Sequence, residues 1–335
     1  MKTVLVTGSN GFAGSHILEA LHGKNVHLIA GCRDKNKIPD WYTGEVRQGD
    51  LRDPNYLVTL LEGVDVVCHA AAWTSLWGHP KESHELNYLP SMNLLDASLK
   101  AGIERFLFVS TTSAAAPGAS ANPLSRGVPR SFWPHLCNVI KFENAMRDKA
   151  NGFTSMINLR CGVFAGEHYG LGLLPILLPR LKTHLVPWVA GGKTSMPIID
   201  GKDIGQAFAL AAIQPDLKGY QAFNIVGPET PSVRDVIEFL NHEFGYPQPH
   251  FSVPFSAAYV FAWLMETIDP IVPWEPLVTR SIVHLMEETE ANNEHAFSCF
   301  GYRPEIHWKD AIRSQLSEFK IRQKNNMKMF QPLPE

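Results

Sequence analysis

The chain reads as an α/β protein: a doubly wound parallel sheet with helices on both faces, followed by a smaller C-terminal lobe. Three observations predict it. Short β-rich runs alternate with helical apolar patterns through the first half, which implies a parallel sheet. Glycines crowd the first strand-to-helix turn. Small and hydroxyl residues collect where the later runs end, and ligands of such sheets sit beyond the C-terminal strand ends. With 335 residues, 45% hydrophobic and 19% charged, the chain can bury a sizeable core as one large domain or a domain plus a lobe.

The elements follow in order. Lys2 to Thr7 is a β-rich run that ends at Gly8. The turn Gly8-Ser9-Asn10-Gly11-Phe12-Ala13-Gly14 leads into a helical pattern with Ile17, Leu18 and Leu21 on one face. Val26 to Ala30 is the next strand. This strand–glycine turn–helix–strand context is what a dinucleotide fingerprint requires. Gly8 permits the tight turn, Gly11 lets the backbone approach a pyrophosphate, and Gly14 lets helix and strand pack closely. The helix N-terminus offers free N–H groups and a positive dipole to the phosphates.

The end of the second strand selects the cofactor. A carboxylate there bonds a ribose 2′-OH, whereas an arginine accommodates a 2′-phosphate. Here Gly31-Cys32-Arg33 runs out with Lys35 and Lys37 close behind, and Asp34 follows the strand end. Arg33 can clamp a phosphate bidentately, which predicts NADP, with NAD as the alternative. Further strands are Glu45 to Leu51, Asp65 to Ala72 and Phe106 to Ser113. Their C-terminal ends bring Asp50, Ala70, Ala71 and the hydroxyl cluster to the ligand edge.

Several classes are excluded. A formal net charge of −3 gives no electrostatic case for nucleic acid. The cysteines (Cys32, Cys68, Cys137, Cys161, Cys299) are odd in number and scattered, with no CxxC and no HExxH. Neither a metal site nor a disulfide framework follows, and reduced thiols in a cytoplasmic protein do. Val4-Leu5-Val6 runs straight into glycines, unlike a signal peptide. Phe255 to Met265 is apolar but is stopped by Glu266, short of the ~20 residues that span a bilayer. It is expected as a core helix or pocket wall. The basic tail with Lys320, Arg322, Lys324 and Lys328 is expected as a solvated end.

Taken in sequence, these segments resemble an extended short-chain dehydrogenase/reductase of the NAD(P)-dependent epimerase/dehydratase and 3β-hydroxysteroid dehydrogenase-like group. The matching motifs are Thr7 to Gly14, Gly49-Asp50-Leu51, Asp65 to Ala72, Asn87 within Glu85 to Tyr88, and Ser110 to Ser113. They continue with Leu159 to Gly166, Asp203-Ile204, Phe223 to Gly227 and Phe300 to Pro304. The resemblance implies a Rossmann-type dinucleotide-binding domain over 1–165, with a returning segment at about 195–227. Residues 166–194 and 228–335 would form the substrate-binding lobe. It implies cofactor contacts from Gly8, Asn10, Gly11, Phe12, Gly14, Arg33, Asp50, Leu51, Ala70, Ala71, Ala72, Asn87 and Lys141. It also implies a homodimer through the helix near Asn87 and the helix carrying Lys141.

The resemblance further implies a Ser or Thr that orients the substrate oxygen, then Tyr-x-x-x-Lys. Thr112 is the candidate for the first role, with Ser113 in reserve. The second stretch is matched to Cys137-Asn138-Val139-Ile140-Lys141, with a cysteine for the tyrosine. In the family the lysine holds the nicotinamide ribose and lowers the phenol pKa, and the phenol exchanges the proton. A thiol stops several ångström short of a phenol oxygen. Three readings stay open. His135, His168, Tyr169 or an ordered water takes over; Cys137 changes the chemistry or makes room; or turnover is lost. Cys161 also replaces the family proline after Arg160.

In the second lobe, Leu171 to Leu185 and Phe251 to Leu264 are apolar. Trp73, Trp77, His79, Phe132, Trp133 and Pro134 are further candidates for pocket walls. This favours an apolar hydroxy or keto substrate over a nucleotide sugar, with Arg180, Lys182 and Arg280 leaving the sugar open. Three functions follow: an NADP-dependent oxidoreductase with a non-standard proton donor, a redox-neutral epimerase, dehydratase or isomerase, and a nucleotide-binding scaffold without turnover.

Overall fold

The β-rich runs pair as the alternation predicts. The computed structural model describes residues 1–116, 118–150, 152–269, 276 and 278–329, the last ten as backbone. Strands β1 (Lys2–Thr7), β2 (Val26–Cys32), β3 (Glu45–Gln48), β4 (Val66–His69), β5 (Arg105–Thr111) and β6 (Ser155–Cys161) lie in one sheet. Short β7 (Val163–Ala165), β8 (Trp188–Val189) and β9 (Ile198–Asp200) stand outside it, and β10 (Tyr220–Ile225) completes it. The sheet has seven strands in the order β10-β6-β5-β4-β1-β2-β3, and every pairing is parallel. The order reverses between β1 and β4, so the crevice for a ligand opens beyond their C-terminal ends.

Helices cover both faces. α1 (Phe12–Leu21) and α7 (Gly201–Ile213) lie together on one side, with Gly205 allowing contact: a Cβ there would come 2.3 Å from the His16 carbonyl oxygen. The other face carries α2 (Pro54–Leu60), a long helix and α5 (Pro134–Lys149). The long helix runs as α3 (Pro80–Ser83), a π-type turn at His84–Tyr88, and α4 (Leu89–Lys100). Two cores flank the sheet: Ile17, Leu18, Ile204 and Phe208 on the first face, Leu94, Leu95, Val139 and Phe142 on the second.

The lobe is built from α6 (Leu173–Leu181), α8 (Val233–Phe244), β11 (Ser252–Val253), α9 (Phe255–Ile268), α10 (Arg280–His284) and α12 (Trp308–Met329), whereas α11 (Glu294–Phe300), expected in the lobe, packs back on the main sheet through Ala296 and Phe300. Its core joins α6, α8 and α12 through Leu178, Leu240 and Trp308. The side chains of the basic tail lie outside the described residues. The apolar run at 255–265 departs from expectation. It forms α9, but buries only Ala258, Ala262 and Glu266, while Val260, Phe261, Trp263 and Leu264 are exposed. Glu266 is held by the Arg280 guanidinium, so the one acid of the helix turns inward and the apolar face outward. Among the described residues no helix is long and apolar enough to cross a membrane.

One buried ion pair fixes α5 against the sheet. Arg160 on β6 and Glu143 on α5 are 1% and 2% exposed and meet at 2.6 and 3.0 Å. Ser110 and Asn158 also donate to Glu143 Oε1, so the carboxylate is saturated. Removing one partner of such a pair strands a buried charge. Glu143→Gln should therefore lower unfolding free energy by about 3–5 kcal/mol in urea titration. A loss below about 1 kcal/mol, the range of an exposed pair, would refute that role.

Candidate functional site

The site grows from the first turn. Gly8 has φ +66°, and a Cβ on it would lie 2.6 Å from the Ala71 backbone. A Cβ on Gly14 would lie 2.1 Å from the Gly8 carbonyl oxygen. Glycine is thus required where the β1 exit, the β4 exit and α1 converge. Gly11 caps α1 without a side-chain bond, and no acid stands in the first helical turn. The leading N–H groups of α1 face a cleft of about 210 Å³, as an anion needs.

The structure brings Gly8, Asn10, Gly11, Arg33, Asp50, Leu51, Ala71, Ala72 and Asn87 to this cleft. Phe12, Gly14 and Ala70 do not line it. Phe12 stacks toward Phe164 and Tyr169, and Ala70 bonds Thr7 at the strand end. Trp73 stands on the rim, its N–H donating to Asn87 Oδ1 at 3.3 Å. Beneath the cleft, His69 lies between the hydroxyls of Thr7 and Ser91 at 2.8 and 2.9 Å. Burial lowers its pKa to about 3, so it is a neutral structural relay.

Arg52, absent from the sequence-based candidates, also lines the cleft. It grips Asp50 through Nε at 3.0 Å and Nη2 at 2.7 Å. That hydrogen bonding, with the Arg33 charge adding to it, holds the Asp50 carboxyl below the usual range. Its signal was the basic residue two places after the acid in Gly-Asp-Leu-Arg. Asp34 turns away: its carboxylate caps Asn36 N at 3.1 Å and meets Lys37 at 3.6 Å.

At the other end, β5 gives way to a tight turn at Thr112–Ala114, with Thr111 Oγ1 accepting from Ser113 N. Thr112 and Ser113 line a second cavity of about 50 Å³ with Val163, Pro197, His284, Glu287 and Glu288. His284 ties the lobe to this turn. Its Nε2 is 3.1 Å from the Ser113 carbonyl oxygen, and its Nδ1 is 3.0 Å from Glu287 Oε2, an ion-pair contact off the line of a hydrogen bond. Burial raises the Glu287 pKa, but His284 and then Arg130 outweigh it and leave the carboxyl below its ordinary value. No motif in the sequence pointed to this network.

The pair Cys137 and Lys141 does not line this cleft. The reason is helix phase. Residues advance about 100° each on an α-helix, so 137, 141, 144 and 148 form one stripe. Asn144 and Asp148 on that stripe bond Arg126 at 3.4 and 2.9 Å. The Cys137 thiol donates to the Arg130 carbonyl at 2.9 Å, and burial pushes its pKa up. Lys141 is exposed and makes no hydrogen bond or ion pair among the described residues. The stripe lies under the loop before α5, on the side of the helix away from Val139 and Phe142. His135 stands on the inward face with those two, partly buried, its Nδ1 sealed without a partner. Of the other substitutes, His168 is exposed beside Glu318, and Tyr169 packs on Phe12.

The NAD dependent epimerase/dehydratase family matches residues 4–226. The chain belongs to this family. It is an extended short-chain dehydrogenase/reductase. A 2-alkyl-3-oxoalkanoate reductase of Stenotrophomonas maltophilia is 24% identical over 92% of this chain and 97% of its own. The human sterol-4-alpha-carboxylate 3-dehydrogenase, decarboxylating, is 23% identical over 95% of this chain and 88% of its own. The Thermus thermophilus UDP-glucose 4-epimerase, solved in complex with NAD, has the same fold. Its TM-score is 0.68, with 21% identity over 95% of this chain and 99% of that one. The family thus holds both reductases and epimerases on this scaffold.

An exposed, unbonded side chain off the cleft should be dispensable. Lys141→Ala should leave the melting temperature within about 1 °C and the affinity for NADPH within about twofold, since surface changes of this kind stay near ±0.5 kcal/mol. A tenfold loss of NADPH affinity would restore Lys141 to the site.

Proposed function

We propose that this chain is an NADP-dependent oxidoreductase acting on an apolar hydroxy or keto substrate, with a non-standard proton donor. The observation that carries it is the charge of the cleft. Asp50 is the one acid among the described residues lining it, and Arg52 neutralises it. Arg33 stands beside them, its guanidinium making no hydrogen bond or ion pair among the described residues, and Asp34 is spent on its own turn. This leaves no carboxylate for a free 2′-OH and offers a guanidinium to a 2′-phosphate.

The cofactor fits the residues present. The first turn of α1 and Asn10 would take the pyrophosphate, Arg33 the 2′-phosphate, and Asp50 with Leu51 the adenine. Bound nicotinamide would supply or accept the hydride. Thr112, which lines the second cavity, would hold the substrate oxygen. Glu287 and Glu288 in that cavity repel a sugar diphosphate and tolerate a neutral skeleton. The names of the two relatives agree with the apolar skeleton, an alkyl chain and a sterol, each of which also bears a carboxylate. The family resemblance adds a homodimer through α4 and α5, which light scattering would test.

A catalytically silent scaffold is the second reading, favoured by the outward stripe of Cys137 and Lys141. A redox-neutral reaction would form product with no net change in nicotinamide absorbance. Tryptophan-fluorescence titration should give tighter binding of NADPH than of NADH. Arg33→Ala should weaken NADPH by roughly 10- to 150-fold, the worth of a charged hydrogen bond, and leave NADH nearly unchanged. Equal affinities in the native chain would refute the NADP assignment. NADPH consumption with an alkyl ketone would remove the scaffold reading.

A further inference from the structure

We propose that His135 is the side chain that meets the substrate oxygen at the nicotinamide end of the cleft and exchanges its proton. The inference deepens the oxidoreductase reading and rests on it.

The argument begins with where α5 starts. His135 is its second residue, at the end of the helix nearest the C-terminal edge of the sheet. One turn further in, Asn138 donates to Ser83 Oγ at 2.9 Å, and Val139 enters the core with Phe106 and Phe108. Two residues before His135, at the N-cap of the helix, Trp133 Nε1 donates to the Ser75 carbonyl at 2.8 Å. Ser75 and Ser83 bracket the segment that descends from Trp73 on the cleft rim toward Asn87. His135 therefore lies on the face of α5 turned to that segment, between two bonds that fix the helix to it.

Spacing agrees with placement. Tyr-x-x-x-Lys requires two side chains four residues apart on the inward face. His135 and Val139 satisfy it, whereas Cys137 and Lys141 satisfy the spacing on the outward face. A shift of two residues keeps the spacing and rotates the pair by about 200°. With valine in the lysine position, nucleotide affinity falls to the adenosine end, where Arg33 and Arg52 stand.

The ring is chemically suited. Nδ1 is sealed and unpartnered, while Nε2 is not among the sealed, unpartnered atoms, so exchange falls to Nε2. Burial lowers the imidazole pKa to about 4, which leaves a neutral ring at neutral pH. In alcohol oxidation the substrate O–H bond breaks and its proton passes to Nε2. The O–H electron pair becomes the second C–O bond, and the hydride leaves that carbon, which bound nicotinamide would accept. Reduction is the reverse: the ring first takes a proton from solvent at Nε2 and then passes it to the oxygen as the C–O π pair becomes the O–H bond.

The first test needs no substrate. Protein carrying ring-¹³C histidine is examined by NMR, and His135→Asn identifies one signal among the 14 histidines; His135→Gln serves if that variant does not fold. Saturating NADPH should move the His135 signal and leave those of surface His22 and His242 in place. A stationary His135 signal in protein that binds NADPH overturns the inference and leaves the oxidoreductase reading intact. Failure to bind NADPH removes both. With any ketone the native chain reduces, His135→Asn should lower kcat by about 100-fold or more, with NADPH affinity within twofold. Cys137→Ala should retain full turnover. Undiminished kcat in the His135 variant would also overturn it.

Discussion

The buried pair between Glu143 and Arg160 is the constraint on which the site depends. A carboxylate with four donors on it admits one rotation of α5. With Glu143 pinned over β5 and β6, Phe142 and Val139 fall into the core, Asn138 reaches α3, and Cys137 and Lys141 face the preceding loop. Desolvating two charges is worthwhile only when every lone pair is engaged, so the helix cannot turn without stranding them. The phase of one helix thus decides which side chains can act on a substrate.

This separates what was legible in the sequence from what was not. The nucleotide half was legible because its information is local. Glycine at 8 and 14 is required by backbone contacts made within one βαβ unit, and a strand-turn-helix pattern reveals it. The sheet was legible for the same reason, since alternation dictates parallel pairing. The helix phase was not. Matching on Lys141 preserved the four-residue spacing but ignored Glu143, whose partner is far away in sequence and invisible to periodicity. His135 appeared only as a substitute, and the geometry moves it to the front. The exposed face of α9 was misjudged because its composition gives no direction: a helix apolar all round buries whichever side its neighbours leave it, here the small side at Ala258 and Ala262.

The two cavities carry opposed charge. In the first, two arginines face one carboxylate, a net positive pocket over a helix N-terminus. At the Thr112 end two glutamates line the cavity, and the positive charge beside them is already engaged: Arg130 is 3.6 Å from Glu287. Such a field draws a polyanion to one cavity and repels it from the other. A substrate with its own phosphates would have to sit against Glu287 and Glu288. An uncharged skeleton meets no such penalty, which is why the lobe's apolar composition and its few buried charges support the same class of substrate.

The lobe also orders the turn that follows β5. Residues 112–114 follow the last β5 residue and have no ladder of their own. Their order comes from Thr111, which bonds Ser113 N, and from His284, which reaches the Ser113 carbonyl from α10. His284 is in turn oriented by Glu287, and Glu287 by Arg130, whose carbonyl receives the Cys137 thiol. A chain of contacts therefore runs from the lobe through the turn at 112–114 to the outer face of α5. Cys137 is one end of it: a small, protonated side chain that secures the loop before α5, at the place where the sequence suggested a reactive group.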